Sequence, residues 1–221
     1  MRLMKPFECL AWFTSIAMLI FAGCENRNPS SPGPFSPKRG VGEERGFGIG
    51  FKFPQIQTRD SDTSPICPDK ESSNAPLVLI FTRTDCPISN RYAPEVGRIV
   101  EEFAPRQVRF WLVYPDPSLS EDRIRQHLRE YEYPCAALWD PDHKLVKATG
   151  VSVTPEVAVY DRSHRHIYRG RIDDRHLDLN KSRASPTQHD LRDVLNALLA
   201  GSDLTFYSEK ATGCVIADLN Q

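Results

Sequence analysis

The sequence lacks a surplus of charge, and it lacks several motifs that would name a function at once. Its 28 Lys and Arg residues oppose 29 Asp and Glu residues, so nothing in the balance points to nucleic acid as a partner. No Cys-x-x-Cys pair occurs, which excludes dithiol exchange between neighbouring cysteines, and no Cys-x-x-Cys-His haem-attachment motif occurs either. The Gly-rich segment 46–50 follows no predicted strand and is therefore not read as a phosphate-binding loop.

The amino-terminal apolar run is too short to cross a bilayer, which takes about 20 apolar residues. Residues 10–22 are interrupted only by Thr14 and Ser15, and they follow a start that carries Arg2 and Lys5. This is the pattern of a signal peptide at residues 1–23. Cys24 follows Phe-Ala-Gly, which resembles the lipoprotein processing box in all but its phenylalanine, so we expect acylation of Cys24.

The predicted location follows from that leader. An acylated Cys24 anchors the protein in a membrane, facing an extracytoplasmic space, and a soluble periplasmic or secreted protein is the alternative. Residues 24–50 are rich in Pro, Gly and Ser, which predicts an extended tether. Residues 51–221 form the predicted compact domain, long enough to bury a core.

The pattern of apolar residues within that domain predicts a βαβ unit. Residues 77–81 form a short apolar run that is typical of a strand buried on both faces. Residues 90–103 place their apolar side chains on one helical face, and residues 108–114 predict a second strand. Cys86 lies in the turn after the first strand, the place where reactive groups gather in such sheets.

Further elements complete an α/β fold with a central mixed sheet flanked by helices. They are predicted at residues 120–131 (helix), 145–149 (helix), 157–160 and 167–170 (hairpin strands) and 191–199 (helix). Ser120 is the expected N-cap of the first of these helices, and Thr187 with Asp190 imitates a capping box before the last.

Cys86 is the candidate nucleophile. At the start of a helix, unpaired backbone N–H groups and the helix dipole favour the thiolate, which is the reactive form. Ser89, one turn on, is placed to donate a hydrogen bond to that thiolate, and Arg83 lowers its pKa if the guanidinium points inward. The alternative is that Cys86 is a buried, unreactive apolar residue.

Four segments carry a family resemblance: Thr-Asp-Cys-Pro at 84–87, Thr-Pro-Glu-Val at 154–157, Tyr-Arg-Gly-Arg-Ile-Asp-Asp at 168–174 and Gly-Cys-Val-Ile at 213–216. In this order they resemble the exported bacterial redoxin-domain proteins of the alkyl hydroperoxide reductase and thiol-specific antioxidant superfamily, over residues 50–219. The resemblance implies a thioredoxin-like fold without cofactor or metal. It also implies that Thr154 and Pro155 form a substrate-facing cis-proline loop, and that the partners are protein thiols, disulfides or peroxide.

Four positions depart from the relatives' patterns. Ser89 stands where thioredoxins have their second cysteine, and Asn90 stands where copper-delivering relatives have a second thiolate. Arg83 and Leu79 stand where peroxiredoxins have the threonine and proline that orient peroxide. These departures disfavour local dithiol exchange, copper delivery and hydroperoxide reduction by the usual geometry.

Four cysteines, Cys67, Cys86, Cys135 and Cys214, lie beyond the leader and Cys24, and they allow three full pairings. A remote cysteine can replace a missing neighbour, because exchange needs only contact and a suitable thiolate. Cys214, on the C-terminal tail, is the expected resolving thiol, and Cys135 is the competing partner. Two structural disulfides are the alternative in an oxidising compartment.

These residues predict an exported thiol–disulfide oxidoreductase or thiol-dependent antioxidant. The alternative is a non-catalytic binding module that docks a partner through the Pro155 loop. A metal site of His164, His166 and Asp173 can be drawn, but the alternation of residues predicts a solvated strand face instead.

Overall fold

The computed structural model describes residues 55–56 and 75–217, and structural statements below concern those residues. Its helices are α1 Pro87–Phe103, α2 Glu121–Glu130, α3 Lys144–Thr149 and α4 Asp190–Leu199, with a short 3-10 helix at Ala104–Arg106. Its strands are β1 Gln55–Ile56, β2 Leu77–Phe81, β3 Arg109–Tyr114, β4 Ala137–Trp139, β5 Val153–Thr154, β6 Glu156–Tyr160, β7 His166–Gly170, β8 His176–Asp178, β9 Lys181–Ser182, β10 Tyr207–Ser208 and β11 Cys214–Val215.

Seven strands form one mixed sheet in the order β1-β4-β3-β2-β6-β7-β10. β2, β3 and β4 run parallel, while β6 is antiparallel to β2 and β7 is antiparallel to β6. Two further pairs, β5 with β11 and β8 with β9, lie outside that sheet. The predicted mixed α/β sheet is confirmed, and β5 is the element that carries the chain to the candidate site.

The core has two layers, one on each face of the sheet. Val78 and Ile80 of β2 face a cluster that holds the apolar sides of α1, α2 and α4. Leu77, Leu79 and Phe81 face the opposite cluster, which includes the apolar side of α3. All five residues of β2 are buried, as a strand covered on both faces requires.

The predicted elements agree with the structure except at two helix starts. α1 begins at Pro87 rather than at residue 90, because Cys86 caps the helix and proline fits its first turn. The capping box before α4 is wrong: His189 is the N-cap and makes no side-chain cap bond. Thr187 is engaged elsewhere, since its hydroxyl donates to Asp174 at 2.5 Å.

The charged segment after β7 is buried, contrary to the solvated face that the sequence predicts. Asp173 accepts a hydrogen bond from the Tyr92 hydroxyl, and Asp174 accepts from the backbone N–H groups of Thr187 and Gln188. His166 of β7 is also buried, and its ring stacks on the ring of Tyr160. Within residues 75–217 no cluster of His, Cys, Asp or Glu is arranged to hold a metal ion.

None of the described helices is both long and apolar enough to span a bilayer. The predicted signal peptide, Cys24, the tether and Cys67 lie outside the described residues.

Candidate active site

Cys86 caps helix α1. Its backbone is extended, with φ −89° and ψ 109°, and its Sγ accepts a hydrogen bond from the backbone N–H of Ser89 at 3.5 Å. The first helical bond runs from the Asn90 N–H to the Cys86 carbonyl. An N-cap side chain normally supplies an oxygen acceptor, and here a sulfur takes that place, so the orphan donors of the first turn face a thiol. The side chain is fully buried.

The C-terminal tail brings Cys214 onto Cys86. β11 pairs antiparallel with β5, which sets Cys214 opposite Thr154. The two sulfurs lie 2.7 Å apart, compared with about 2.0 Å in a disulfide bond. The Cys86 thiol also donates to the Thr154 carbonyl at 3.1 Å. Two cysteines 128 residues apart along the chain are therefore already in position to form a bond.

Two close crossings hold the tail on this course. β10 extends the main sheet beside β7, where Gly170 lies directly against the backbone of Glu209. Farther on, Gly213 lies over the Thr154–Pro155 peptide, and a Cβ there would come within 2.6 Å of the Thr154 carbonyl carbon. Ile216 then enters the core and is buried. The tail is packed into the fold on both sides of Cys214.

The loop opposite the tail contains a cis peptide bond between Thr154 and Pro155. The Glu156 carboxylate supports it by accepting hydrogen bonds from the N–H groups of Ser152 and Val153, at 2.9 and 3.3 Å. Burial raises the pKa of Glu156, while those N–H groups and Arg169 lower it. The resemblance implies that Thr154 and Pro155 face the nucleophile, and the structure brings the Thr154 carbonyl, directly before Pro155, to the Cys86 sulfur.

The two sulfurs have opposite pKa shifts. Burial raises the pKa of Cys86, but hydrogen bonds from Cys214, Ser89 and Thr154 outweigh it and lower the pKa below its ordinary value. The hydroxyls of Ser89 and Thr154 have no other partner among the described residues, so both are available to a thiolate. Burial and the neighbouring Cys86 raise the pKa of Cys214 to about 12. Of the two thiols, Cys86 therefore has the lower pKa and ionises first.

The sequence predicts that Arg83 lowers the pKa of Cys86 if its guanidinium points inward, and in the structure the guanidinium binds Asp85 instead. The pair is bidentate, with bonds of 3.0 and 2.9 Å. A further nitrogen lies 3.5 Å from the Val215 carbonyl, and the charge lowers the pKa of Cys214. Paired with Asp85, the Arg83 side chain contacts the C-terminal tail and not the start of α1.

Cys135 lies apart from this contact. It is half-buried and packs against the cluster formed with helices α1, α2 and α4, and burial raises the pKa of its thiol to about 12. Of the two partners considered for Cys86, the structure places only Cys214 against its sulfur.

A family model for the AhpC/TSA family matches residues 49–170. This match covers more than half of the chain. The chain belongs to the AhpC/TSA family.

Solved structures agree with the fold of this AhpC/TSA member. An uncharacterised conserved protein from Geobacillus kaustophilus is 24% identical with a TM-score of 0.62, over 80% of this chain and 96% of that one. A hypothetical protein from Sinorhizobium meliloti is 20% identical with a TM-score of 0.63, over 80% and 98% of the two chains. A thioredoxin-like protein solved in its oxidised form is 16% identical with a TM-score of 0.51, over 72% and 98%. None of the curated proteins compared with the chain matches it.

The sequence alone did not give a role to three residues that shape this AhpC/TSA site. In the sequence, Glu156 is only one residue of the Thr-Pro-Glu-Val segment, whereas in the structure its carboxylate holds the cis-proline loop by hydrogen bonds. Gly213 and Ile216 appeared beside Cys214, yet they fix the tail against that loop. The sequence signal for this contact is Gly213 directly before Cys214, because glycine often marks a position where two backbones approach closely.

Proposed function

We propose that this protein is a thiol–disulfide oxidoreductase in which Cys86 and Cys214 form the redox pair. The separation of 2.7 Å between their sulfurs carries the proposal. Membership of the AhpC/TSA family supports thiol chemistry in general. The burial of Cys86 beside three hydrogen-bonding groups supports its role as the attacking thiolate.

The forward reaction takes two exchange steps. The Cys86 thiolate attacks one sulfur of a partner disulfide, forms a mixed disulfide, and releases the partner's other sulfur as a thiolate. Cys214 then loses its proton and attacks the Cys86 sulfur, which forms the Cys86–Cys214 disulfide and releases the second partner thiolate. The partner disulfide is reduced by two electrons, and the protein dithiol is oxidised by two.

The reverse reaction begins at the more accessible sulfur. Cys86 is fully buried, whereas Cys214 is half-buried, so an incoming thiolate reaches Cys214 first. Attack there releases Cys86 as the leaving thiolate, and a lower pKa makes a better leaving group. A second thiol of the reductant then attacks the reductant's own sulfur in the mixed disulfide, which releases Cys214, restores the protein dithiol and leaves the reductant as a disulfide.

A location outside the cytoplasm also belongs to the proposal. The leader pattern and Gly-Cys at 23–24 support export, followed by lipid attachment at Cys24. In the cell of origin, radiolabelled fatty acid should enter the protein and should be absent from a Cys24→Ala variant. Labelling of that variant at the same level would contradict attachment at Cys24.

Disulfide mapping of the reduced and the oxidised protein tests the redox pair. We expect mild oxidation to join Cys86 to Cys214, and a dithiol reductant to reopen the bond. Cys86→Ser should lose turnover of a model disulfide by roughly a thousandfold or more while it keeps the fold. Full activity of that variant, or a Cys86 that stays free under oxidant, would favour a binding module instead. Repeating the oxidation with hydroperoxide and with a protein disulfide would identify the oxidant class.

A further inference from the structure

Strand β5 is an edge, and the protein's own tail covers it. Among the described residues, β11 is the strand that pairs with β5, since β5 lies outside the seven-stranded sheet. The Ile216 N–H donates to the Ser152 carbonyl at 3.0 Å, which continues the pairing beyond Val215. An unpaired edge presents a row of N–H and C=O groups that accepts an extended chain. Here the extended chain is residues 213–216.

The tail also covers the nucleophile. Cys86 has no exposed surface while Cys214 lies against it and β11 lies along β5. A mixed disulfide between Cys86 and another protein requires that protein's chain to approach the same sulfur. The backbone of that chain would then need the edge that the tail occupies.

We propose that residues 213–216 are a resident peptide ligand of β5, which leaves that edge before Cys86 forms a mixed disulfide with a protein. The vacated edge accepts an extended segment with a cysteine and with glycine immediately before it. The first part rests on the proposed redox function, because it concerns the mixed disulfide. The second part concerns binding alone.

The glycine requirement comes from the close approach at position 213. A Cβ there would collide with the Thr154 carbonyl group and come within 3.1 Å of the Pro155 nitrogen. These contacts are backbone atoms of a loop that Glu156 ties down, so they have little room to move. Any residue larger than glycine must lift the segment off β5 or displace the loop. Val215 shows no such restriction, as its side chain is 70% exposed.

The experiment compares two glycine variants of the full chain under reducing conditions. Gly213→Ala adds the colliding Cβ, and Gly97→Ala adds a methyl group that meets nothing within 4 Å, which makes it the matched control. Each cysteine is alkylated with iodoacetamide or with a polymer-linked maleimide and is quantified by peptide mass. We expect Gly213→Ala to speed alkylation of Cys86 by the bulky reagent roughly tenfold or more, with no change in Gly97→Ala. Equal Cys86 rates in the wild type and in Gly213→Ala would overturn the resident-ligand proposal.

A peptide probe tests the specificity in the Gly213→Ala background. The probe carries the residues found at 211–217, Ala-Thr-Gly-Cys-Val-Ile-Ala, with its cysteine as a thionitrobenzoate disulfide. We expect it to form a mixed disulfide with Cys86 roughly tenfold faster than the same peptide with alanine for glycine. Equal rates would overturn the glycine requirement.

The outcomes separate this inference from the proposed function. If oxidation joins Cys86 to Cys214 but neither glycine test responds, the redox pair stands and the resident ligand fails. If the glycine tests respond but no Cys86–Cys214 disulfide forms, docking of the tail stands and the redox pair fails.

Discussion

Cys214 and Cys135 are two candidate partners for one nucleophile, and their thiols resemble each other in acidity. The pKa of each is raised to about 12, at Cys135 by burial and at Cys214 by burial together with the neighbouring Cys86, so neither is a ready thiolate. Their places differ, since Cys214 lies 2.7 Å from the Cys86 sulfur while Cys135 packs into the helical side of the core. Contact with Cys86, and not a lower pKa, therefore distinguishes Cys214 as the proposed resolving thiol.

In the proposed reaction, the contact with Cys86 also changes the pKa of Cys214 during the exchange. The neighbouring Cys86 sulfur is one cause of the raised pKa of Cys214. A Cys86 thiolate that enters the proposed mixed disulfide loses its negative charge, which removes one cause of the raised pKa of Cys214 before its attack. Cys135 has no such coupling, because its raised pKa comes from burial.

The largest effect that separates the two cysteines should come from replacing each with serine. Cys214→Ser removes an attacking thiol that the tail holds in contact, and such proximity is worth many orders of magnitude in effective concentration. We expect turnover of a model disulfide to fall by roughly a hundredfold or more, and Cys86 to accumulate as a mixed disulfide with the probe. Cys135→Ser should stay within about twofold of the wild type.

Turnover and mass mapping of trapped mixed disulfides measure this difference, and thermal unfolding controls for damage to the fold. A Cys135→Ser variant that folds normally but loses as much turnover as Cys214→Ser would reverse the two assignments.

A smaller effect should follow from loosening the edge on which Cys214 docks. Glu156→Gln keeps the shape of the side chain but removes the charge that accepts two backbone N–H groups of the cis-proline loop. We expect a loss of about 1–2 kcal/mol in unfolding free energy and roughly tenfold slower formation of the Cys86–Cys214 disulfide. The rate of disulfide formation is measured by quenching the oxidation at a series of times and quantifying the Cys86–Cys214 disulfide by mass spectrometry.

Asp161→Asn is the matched control for this change. Asp161 is also buried and also accepts two backbone N–H groups, those of Ser163 and Arg165, but it lies in the hairpin turn after β6. It should lose similar stability with an unchanged rate of disulfide formation. Slowing by both variants alike would mean that general stability, and not the β5 edge, sets the rate.

Much of the fold could be predicted because its elements carry their own periodicity. The apolar run at 77–81 predicts a buried strand, and the apolar stripe at 191–199 predicts a helix with one buried face. Both elements occur where expected. The prediction for Asp173 and Asp174 was wrong, because charged residues usually lie at the surface, yet both are buried and accept hydrogen bonds from Tyr92 and Thr187. Their burial depends on partners far away in sequence, which no local pattern records.

The site divides in the same way. Cys86 could be located from the strand and helix around it, because its place depends on neighbours in sequence. The course of the C-terminal tail could not be predicted, because β10 and β11 have two residues each and show no periodicity. Its course is fixed by Gly170 and Gly213, two positions where backbones touch across the fold.

The smallest expected effect is a shift in the pH at which Cys86 reacts. Thiolate is the reactive form, so the alkylation rate rises tenfold per pH unit below the pKa and levels off above it. Because hydrogen bonds lower the pKa of Cys86, its rate should level off below the ordinary value of 9.0, whereas Cys135 should keep gaining to about pH 12. Cys214→Ala removes one donor to the thiolate and should raise the Cys86 midpoint, while Cys214→Ser keeps a hydroxyl donor and should raise it less. Iodoacetamide kinetics resolved by peptide mass give each midpoint. If neither substitution changes the Cys86 midpoint, contact with Cys214 does not lower the pKa of the nucleophile. The contact would then contribute only by holding the two sulfurs close together.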